Sequence, residues 1–428
     1  MKDAQDLLQT AHSAWTARLD VLQNRERFKR YTYGDQWSDL MDDGTGRIRT
    51  ERDILHHVGR PPLTNNLIRR LVKTIVGRYR HLCAESGRYS SEPGSQDVAN
   101  DLAELDSRLM EEFLISGMAI QRVARENRRG VTDVYVDNVN PRQFFCNTFS
   151  DPRGRDIELV GMLHDMSLPE VLARFGRGDH RVMERLKMIF QDADSRSFSL
   201  DLSNCTLDFF NAPSGRCRVI EVWTLEPRIA KRRTGSAVSF VWHCTWMSPA
   251  GNVLATYDSP WKHGGHPFVL RMYPLIDGEV HPFVEDVIDQ QRYINRLIVL
   301  IDHIMGASAK GVLLFPVTQL YPGWGFEDVA NRWAQPNGFI PITGQGPAPV
   351  QITNNGGDAG AGKMLELELK LFEDVSGVGD ALMGKVAGGN GGSALFDSQI
   401  TAATIALADI FDTFNSLTAR RDQIMKNI

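Results

Sequence analysis

The chain has few cysteines and no long apolar run, and each shortage excludes a class of protein. Its five cysteines, among 428 residues, show no C-x-x-C spacing, so we expect buried, reduced thiols in a cytosolic setting and no disulfide framework. Runs such as LIVLI at 297–301 are much shorter than the roughly 18 apolar residues of a spanning helix. The opening MKDAQDLLQTAHSAW carries early acids and no apolar signal-peptide core, so we expect neither export nor membrane insertion.

An excess of positive charge is also lacking. The chain has 48 Lys and Arg against 53 Asp and Glu, a net charge of −5, which argues against a nonspecific nucleic-acid binder. Residues 1–90 alone are basic, with 16 basic and 11 acidic residues, and this local excess is compatible with a basic face or with a solvated surface. The proportions of apolar (42%) and charged (24%) residues are those of a folded soluble protein with room for two or three domains.

The pattern of helical and strand-like segments over residues 1 to about 280 predicts an α+β body. We expect helices over 1–30, from about 67 with Asn65 or Asn66 as the cap, and over 94–126, because apolar residues recur there at three and four. After Val131 the period changes to β-branched and aromatic runs between turn residues. These predict one antiparallel sheet, interrupted by a single helix at 167–175, with strands in 131–146, 156–166, 216–227, 236–248 and 251–257.

The second half returns to helix on both sides of a small insert. Apolar residues at helical spacing from Val284 to Met305 predict a helix more than about 30 Å long. The insert contains strand-like GVLLFPV and GFIPIT around the short helix EDVANRWA. In KMLELELKLFED the leucines alternate with charges as in a strand, but strong helix formers and charges at 363, 366, 370 and 373 favour a helix. A last helix follows from Ala394.

A glycine run between the last two helices is close to a nucleotide-binding motif. GDALMGK at 379–385 matches G-x-x-x-x-G-K, but Val386 stands where Mg²⁺ binding needs Ser or Thr. Such a loop also has to follow a buried strand and open a helix, whereas a predicted helix precedes this one and four more glycines follow it. We therefore expect a flexible loop, no bound nucleotide and no cofactor.

No residue pattern commits the chain to catalysis or to metal binding. The pair His56 and His57, and His243 beside Cys244, have no partner at zinc-like spacing, so structural histidines are the better interpretation. The chain also lacks the strand-turn-helix context of a nucleophile elbow. We predict that it is not an enzyme.

Taken in order, the motifs resemble the portal proteins of tailed bacteriophages. The matching segments are YTYGDQW followed by RPPLTNNLIRRLVKTIVGRYR, then FLISGMAIQRV leading into VDNVNPRQFFCNTFSDP, and then the late order of helix, insert, helix, glycine loop and long helix. Each motif is weak alone, but together they cover nearly the whole chain. The resemblance implies a portal fold with a mixed α/β wing, a two-helix stem, a small clip and a tunnel loop.

On that template the chain divides into portal regions. Residues 1–284 match the wing, 285–306 and 361–374 the two stem helices, and 307–360 the clip. Residues 375–393 match the tunnel loop and 394–428 the long wing helix, after which a C-terminal crown is expected to be absent or minimal.

The resemblance also implies roles for individual residues. Met383, Lys385 and Asn390 would face DNA in the tunnel loop. The stem would line the channel with Lys310, Lys363, Glu366 and Lys370. The clip would present an interface of Tyr321, Trp324, Phe326 and Trp333, although a small private clip core would use the same aromatics.

The implied assembly is a ring, typically of about twelve copies, at one vertex of the virion capsid. Double-stranded DNA would pass through the channel during packaging and ejection. The implied partners are the terminase large subunit, the major capsid and scaffolding proteins and a tail adaptor, with assembly in the host bacterial cytoplasm. Two alternatives are another phage head or connector protein and a P-loop packaging ATPase.

Overall fold

The structure is a computed structural model that describes most of the chain. The described residues are 4–90, 92, 94–128, 130–196, 208–213, 215–232, 235–308, 312–335, 338–344, 346–352, 358–379, 401 and 404–428. They fall into two units, the first made of 1–32, 69–286 and 380–428 and the second of 33–68 and 287–379.

Helices occupy both ends of the chain and flank the sheets. They are α1 (Ala4–Thr16), α2 (Leu19–Tyr33), α3 (Glu51–His57), α4 (Leu67–Glu85), α5 (Gln96–Ala99), α6 (Leu102–Ser116), α7 (Leu168–Phe175), α8 (His180–Arg196), α9 (Glu285–Ser308), α10 (Phe326–Ala334), α11 (Asp358–Ser376) and α12 (Ala408–Lys426).

The strands lie mainly in the middle of the chain. They are β1 (Leu40–Asp42), β2 (Ile48–Thr50), β3 (Met118–Arg128), β4 (Val131–Asn138), β5 (Phe144–Cys146), β6 (Leu159–Met166), β7 (Cys217–Arg232), β8 (Gly235–Met247), β9 (Val253–Asp258), β10 (Phe268–Met272), β11 (Val312–Leu314) and β12 (Val350–Ile352).

The core of the first unit is built on two antiparallel sheets, where the sequence predicted one. The five-stranded sheet has the order β5-β6-β7-β8-β9 and the three-stranded sheet the order β10-β3-β4. Large aromatic side chains fill the core, including the fully buried Trp223 and Trp246. Gly161 on β6 is required by close packing, because a Cβ there would lie 2.3 Å from both Glu221 O and Phe145 Cζ.

The strand β3 corrects the helix that the sequence predicted over 94–126. Gly117 ends α6 with φ +67°, a left-handed conformation that glycine adopts without strain. Beyond it, every residue from Met118 to Ala124 is buried, because α6 and α12 pack on β3 and its other face lies against the hydrophobic core. A strand buried on both faces lacks the alternation that identifies a strand in a sequence.

Three further predictions differ from the structure. Two helices, α7 and α8, interrupt the strands instead of one. The last helix, predicted from 394, is helical at 404–406 and then breaks at Leu407, whose φ of −97° and ψ of 3° precede α12; residues 394–400 lie outside the described part. GFIPIT forms a single bridge, Leu320 to Ile342, while β12 supplies the ladder partner of β11.

Within the second unit, a side chain from far along the sequence caps the start of α4. The sequence predicted Asn65 or Asn66 as the cap. In the structure the N–H groups of Leu67 and Ile68 donate to Gln291 Oε1 on α9, at 2.9 and 3.3 Å. Gln291 Nε2 in turn donates to Asn65 O at 2.8 Å, so the cap also anchors α9.

Candidate functional site

The candidate site is formed by α9, α11 and the insert between them, all of which belong to the second unit apart from the first residues of α9. Strand β11 follows α9 and strand β12 precedes α11, and the two pair antiparallel from Val312–Ile352 to Leu314–Val350. The insert therefore begins after α9 with β11 and ends before α11 with β12, and these two strands pair in one short ladder. This agrees with the predicted order of helix, insert and helix.

Buried amides fix α9 within the second unit. Asn295, next to Gln291 on the same face, donates from Nδ2 to Gln36 Oε1 at 2.5 Å and accepts from the Asn65 N–H at 3.1 Å. The exposed face of α9 then carries Tyr293 and Leu300. The helical spacing of apolar residues predicted α9 but gave no sign of these amides.

Helix α11 presents three different faces along its length. Phe372 and Ser376 are buried. A second stripe is apolar but between 39 and 49% exposed, and consists of Met364, Leu367, Leu371 and Val375. A third stripe is charged and exposed, and consists of Lys363, Glu366, Lys370 and Asp374. At about 100° per residue the apolar stripe lies between the buried face and the charged stripe.

Three of the predicted channel residues therefore lie together. Lys363, Glu366 and Lys370 share the charged stripe of α11, as their spacing predicted. Lys310, Met383, Lys385 and Asn390 lie outside the described residues. The residues before the glycine run are helical up to Ser376, which is the predicted conformation and not the strand that a phosphate-binding loop follows.

The insert exposes aromatic side chains. Tyr321 and Phe326 are exposed, and Trp324 and Trp333 are half-buried. Phe339, which the sequence analysis missed because GFIPIT was interpreted as a strand, is 90% exposed. It borders a cavity of about 770 Å³ that Trp324 and Arg332 also line. Val329 is the buried apolar residue among the described side chains of α10, and Tyr321, Phe326 and Phe339 lie exposed instead of packing around it.

A cleft of about 1100 Å³ lies in the first unit, where the two sheets and α7 meet. Arg122 donates to both oxygens of Glu221, at 3.2 and 3.4 Å, and to Glu126 at 2.8 Å. His164 lies 2.8 Å from Glu221, and Arg174 stacks on Trp246 at 4.4 Å. The cleft thus joins β3, β6, β7 and α7 through matched charges.

The ionisation of this cleft follows from its ion pairs. Burial favours the neutral acid in Glu221, but Arg122 and the His164 hydrogen bond outweigh it and hold the pKa well below its usual range. Burial also opposes ionisation of Glu126, yet Arg122 and Arg174 lower its pKa to about 2. Desolvation lowers the pKa of His164. The carboxylates are therefore charged and the histidine neutral near pH 7. The ion pairs that they form with the arginines stabilise the contact between the two sheets.

Within the described residues, no group of three or more His, Cys, Asp or Glu side chains could hold a metal ion. Cys83, Cys146, Cys217 and Cys244 are buried, and Cys205 lies outside the described part. His243 lies 2.8 Å from Asp258, as expected of a structural histidine. No helix in the described ranges is both long and apolar enough to cross a bilayer.

Comparison with known families shows to which family the chain belongs. No curated protein matches it. A family model described as phage P22-like portal protein matches residues 8–425, which is nearly the whole chain, and the mixed α+β fold is consistent with that family. The chain therefore belongs to the phage P22-like portal family, whose members are structural proteins that form an oligomeric ring at a vertex of the phage head.

Proposed function

We propose that copies of this chain form the channel through which double-stranded DNA is packaged and ejected, with the charged stripe of α11 lining it. The observation that supports this proposal is the three-faced character of α11. In a ring, a stem helix contacts its own subunit, a neighbouring copy and the channel, and these surroundings call for a buried, an apolar and a charged face in turn.

The charges of the stripe suit a sliding polyanion. Lys363 and Lys370 alternate with Glu366 and Asp374, so phosphate contacts would be few and screened. A purely basic stripe would bind many phosphates and hold the duplex in place, since affinity rises steeply with each contact. In this assignment 1–284 is the wing, 285–306 and 361–374 the stem, 307–360 the clip, 375–393 the tunnel loop and 394–428 the long wing helix.

Photocrosslinking tests the channel assignment. Single cysteines at Lys363, Glu366 and Lys370, each carrying a photoreactive label, should crosslink to DNA in particles stalled during packaging. Matched cysteines at Leu371, on the apolar stripe, and at Lys187, on α8, should not. Equal crosslinking from all five positions, or none from the charged stripe, would reject the assignment.

We further propose that the insert is the docking surface for the terminase large subunit and later for the tail adaptor, while the wing contacts the capsid and scaffolding proteins. Tyr321, Phe326 and Phe339 are exposed on one small insert, and buried aromatic anchors often dominate the affinity of interfaces. Exposed apolar side chains grouped in this way favour a surface that a partner covers.

Replacing Phe326 and Phe339 together by Ala should leave rings intact and weaken capture of the terminase or adaptor at least about 30-fold, since an anchor contributes roughly 2 kcal/mol or more. Val317→Ala, at another exposed apolar site in the insert, is the matched control and should change little. Surface plasmon resonance on assembled rings measures both. Unchanged capture by the double variant would reject these aromatics as the docking surface.

A further inference from the structure

Strands β7 and β8 extend as a two-stranded ribbon beyond the five-stranded sheet of the first unit. The two strands stay paired as far as Arg232–Gly235. The pairing of β6 with β7 ends at Thr224, and that of β9 with β8 ends at His243. Past these two positions, no third strand pairs with the ribbon in the described part of the chain.

One face of the ribbon is apolar and continues the core of the first unit. On β8 this face carries Trp246, which is 1% exposed, and then Trp242, which packs against the core. Trp242 also meets His266 edge-on, with 4.7 Å between the ring centroids. Further along β8, Phe240 and Val238 point to the same face, since alternate residues of a strand do so, and are 66 and 63% exposed. The apolar face therefore runs past the point where the chain's own core ends.

The opposite face of the ribbon is polar. Pro227 is exposed and lies opposite Phe240 in the ladder, so it belongs to the apolar face. Glu226 and Arg228 flank Pro227 in the sequence, and their side chains therefore point to the other face. There Arg228 donates to Asp258 at 2.6 Å. Among the described side chains of the ribbon, the charged groups thus lie on the polar face and leave the apolar face uncharged.

The exposed part of the apolar face needs a cover from outside the chain, because a two-stranded ribbon has no core of its own. Its described side chains offer no cation to a phosphate, so a nucleic acid would lose hydration there without compensation. The chain belongs to a family whose members form an oligomeric ring, and a neighbouring copy is therefore present whenever the protein is assembled. A partner that binds at one stage only would leave Phe240 in water at every other stage.

We propose that Pro227, Val238 and Phe240 form a contact between copies and pack against an apolar surface of the next copy in the ring. In a ring, a patch on one copy meets a different patch on its neighbour. This contact is additional to the apolar stripe of α11, since the ribbon belongs to the first unit and α11 to the second. The proposal rests on ring formation and not on the channel assignment.

Photocrosslinking identifies what covers this face. Protein with p-benzoylphenylalanine in place of Phe240 is assembled from an equal mixture of isotopically light and heavy copies and is then irradiated. A contact between copies should give crosslinked peptide pairs of which about half join a light to a heavy peptide. The same label at Ser239, one residue away on the polar face, is the matched control and should give few such pairs. Crosslinks confined to peptides of one copy, to DNA or to another protein would overturn the proposal.

A charge placed on the apolar face gives a second test. Phe240→Glu should raise the protein concentration at which half of the copies are in rings by at least about 30-fold, as the loss of an interface anchor does. Ser239→Glu adds the same charge to the polar face and should change this concentration less than about twofold.

Mass photometry measures the concentration at which rings form, and circular dichroism should show that both variants are folded, since Phe240 is mostly exposed within one copy. No effect of Phe240→Glu, or equal effects of the two substitutions, would reject the contact. DNA crosslinks from α11 test the channel assignment separately, so that either proposal can fail alone.

Discussion

Replacing both Leu367 and Leu371 by Glu is expected to abolish ring formation and leave a folded monomer. Both leucines lie on the exposed apolar stripe of α11, between the buried face and the charged stripe. If a neighbouring copy covers this stripe, each leucine contributes about 1 kcal/mol or more to the free energy of association at each contact between copies. The contribution is below that of a fully exposed leucine, because part of each side chain is already buried within the chain. A carboxylate placed in the same apolar contact costs several kcal/mol.

The loss of association free energy is multiplied in a ring, because each copy contacts two neighbours through the same pair of surfaces. The complementary surface is expected on α9, where Tyr293 and Leu300 are exposed. Mass photometry should show rings for the wild type and monomers for the double variant, with circular dichroism confirming that the variant is folded.

The charged stripe provides the control for this substitution. Glu366→Gln with Lys370→Gln changes two exposed residues on the same turns of α11 and should leave ring formation unaltered. Normal rings from the Leu367 and Leu371 variant would show that the apolar stripe is not a contact between copies. Loss of rings in both variants would indicate a general sensitivity of α11.

Arg421→Met is expected to cost the first unit about 3–5 kcal/mol of unfolding free energy, because it leaves a buried charge without its partner. Arg421 on α12 is 1% exposed, and its Nη1 donates to Asp106 Oδ1 on α6 at 2.5 Å. Asp106 is fully buried and also accepts from Gln121 Nε2 at 3.0 Å and from Tyr89 Oη at 2.9 Å. Burial and the Asp106 carboxylate raise the pKa of Tyr89, which keeps it a neutral donor.

Arg420→Met is the matched control, since Arg420 is the adjacent residue, is exposed and donates to Gln423 at 2.9 Å. It should change stability by less than about 0.5 kcal/mol. Adding Asp106→Leu to Arg421→Met should restore part of the loss, because no buried charge then remains unpaired. Denaturant unfolding of all four proteins measures these differences. Equal effects of Arg420→Met and Arg421→Met would contradict the assignment of a buried pair.

The long helices of the second half were predictable because their signal is local. Apolar residues at three and four over α9, and the helix formers and charged stripe of α11, are properties of neighbouring residues. The same holds for most strands between 131 and 257, where β-branched residues alternate with polar ones. The resemblance to phage portal proteins also rests on the order of such local elements, and the family match over 8–425 confirms it.

The structure differs from the sequence-based predictions where the partner of a residue is distant in sequence. Residues 118–124 are predicted to be helical because β3 is buried on both faces and so shows no alternation. Two N–H groups at the start of α4 donate to Gln291, more than two hundred residues away, and no local pattern predicts this contact. The segment that contains Phe339 is predicted as a strand but forms a single bridge, so the sequence does not predict the 90% exposure of Phe339.

The sequence by itself determined the family, the helical identity of α9 and α11, and the charged stripe at 363, 366 and 370, because periodicity and composition act over a few residues. Only the tertiary structure decided that the strands divide into two sheets, that Arg421 is buried against Asp106, and that Leu367 and Leu371 remain exposed while Phe372 does not. Burial depends on which surfaces meet in space, and a pattern of apolar residues cannot distinguish a face that packs within the chain from one left for a partner.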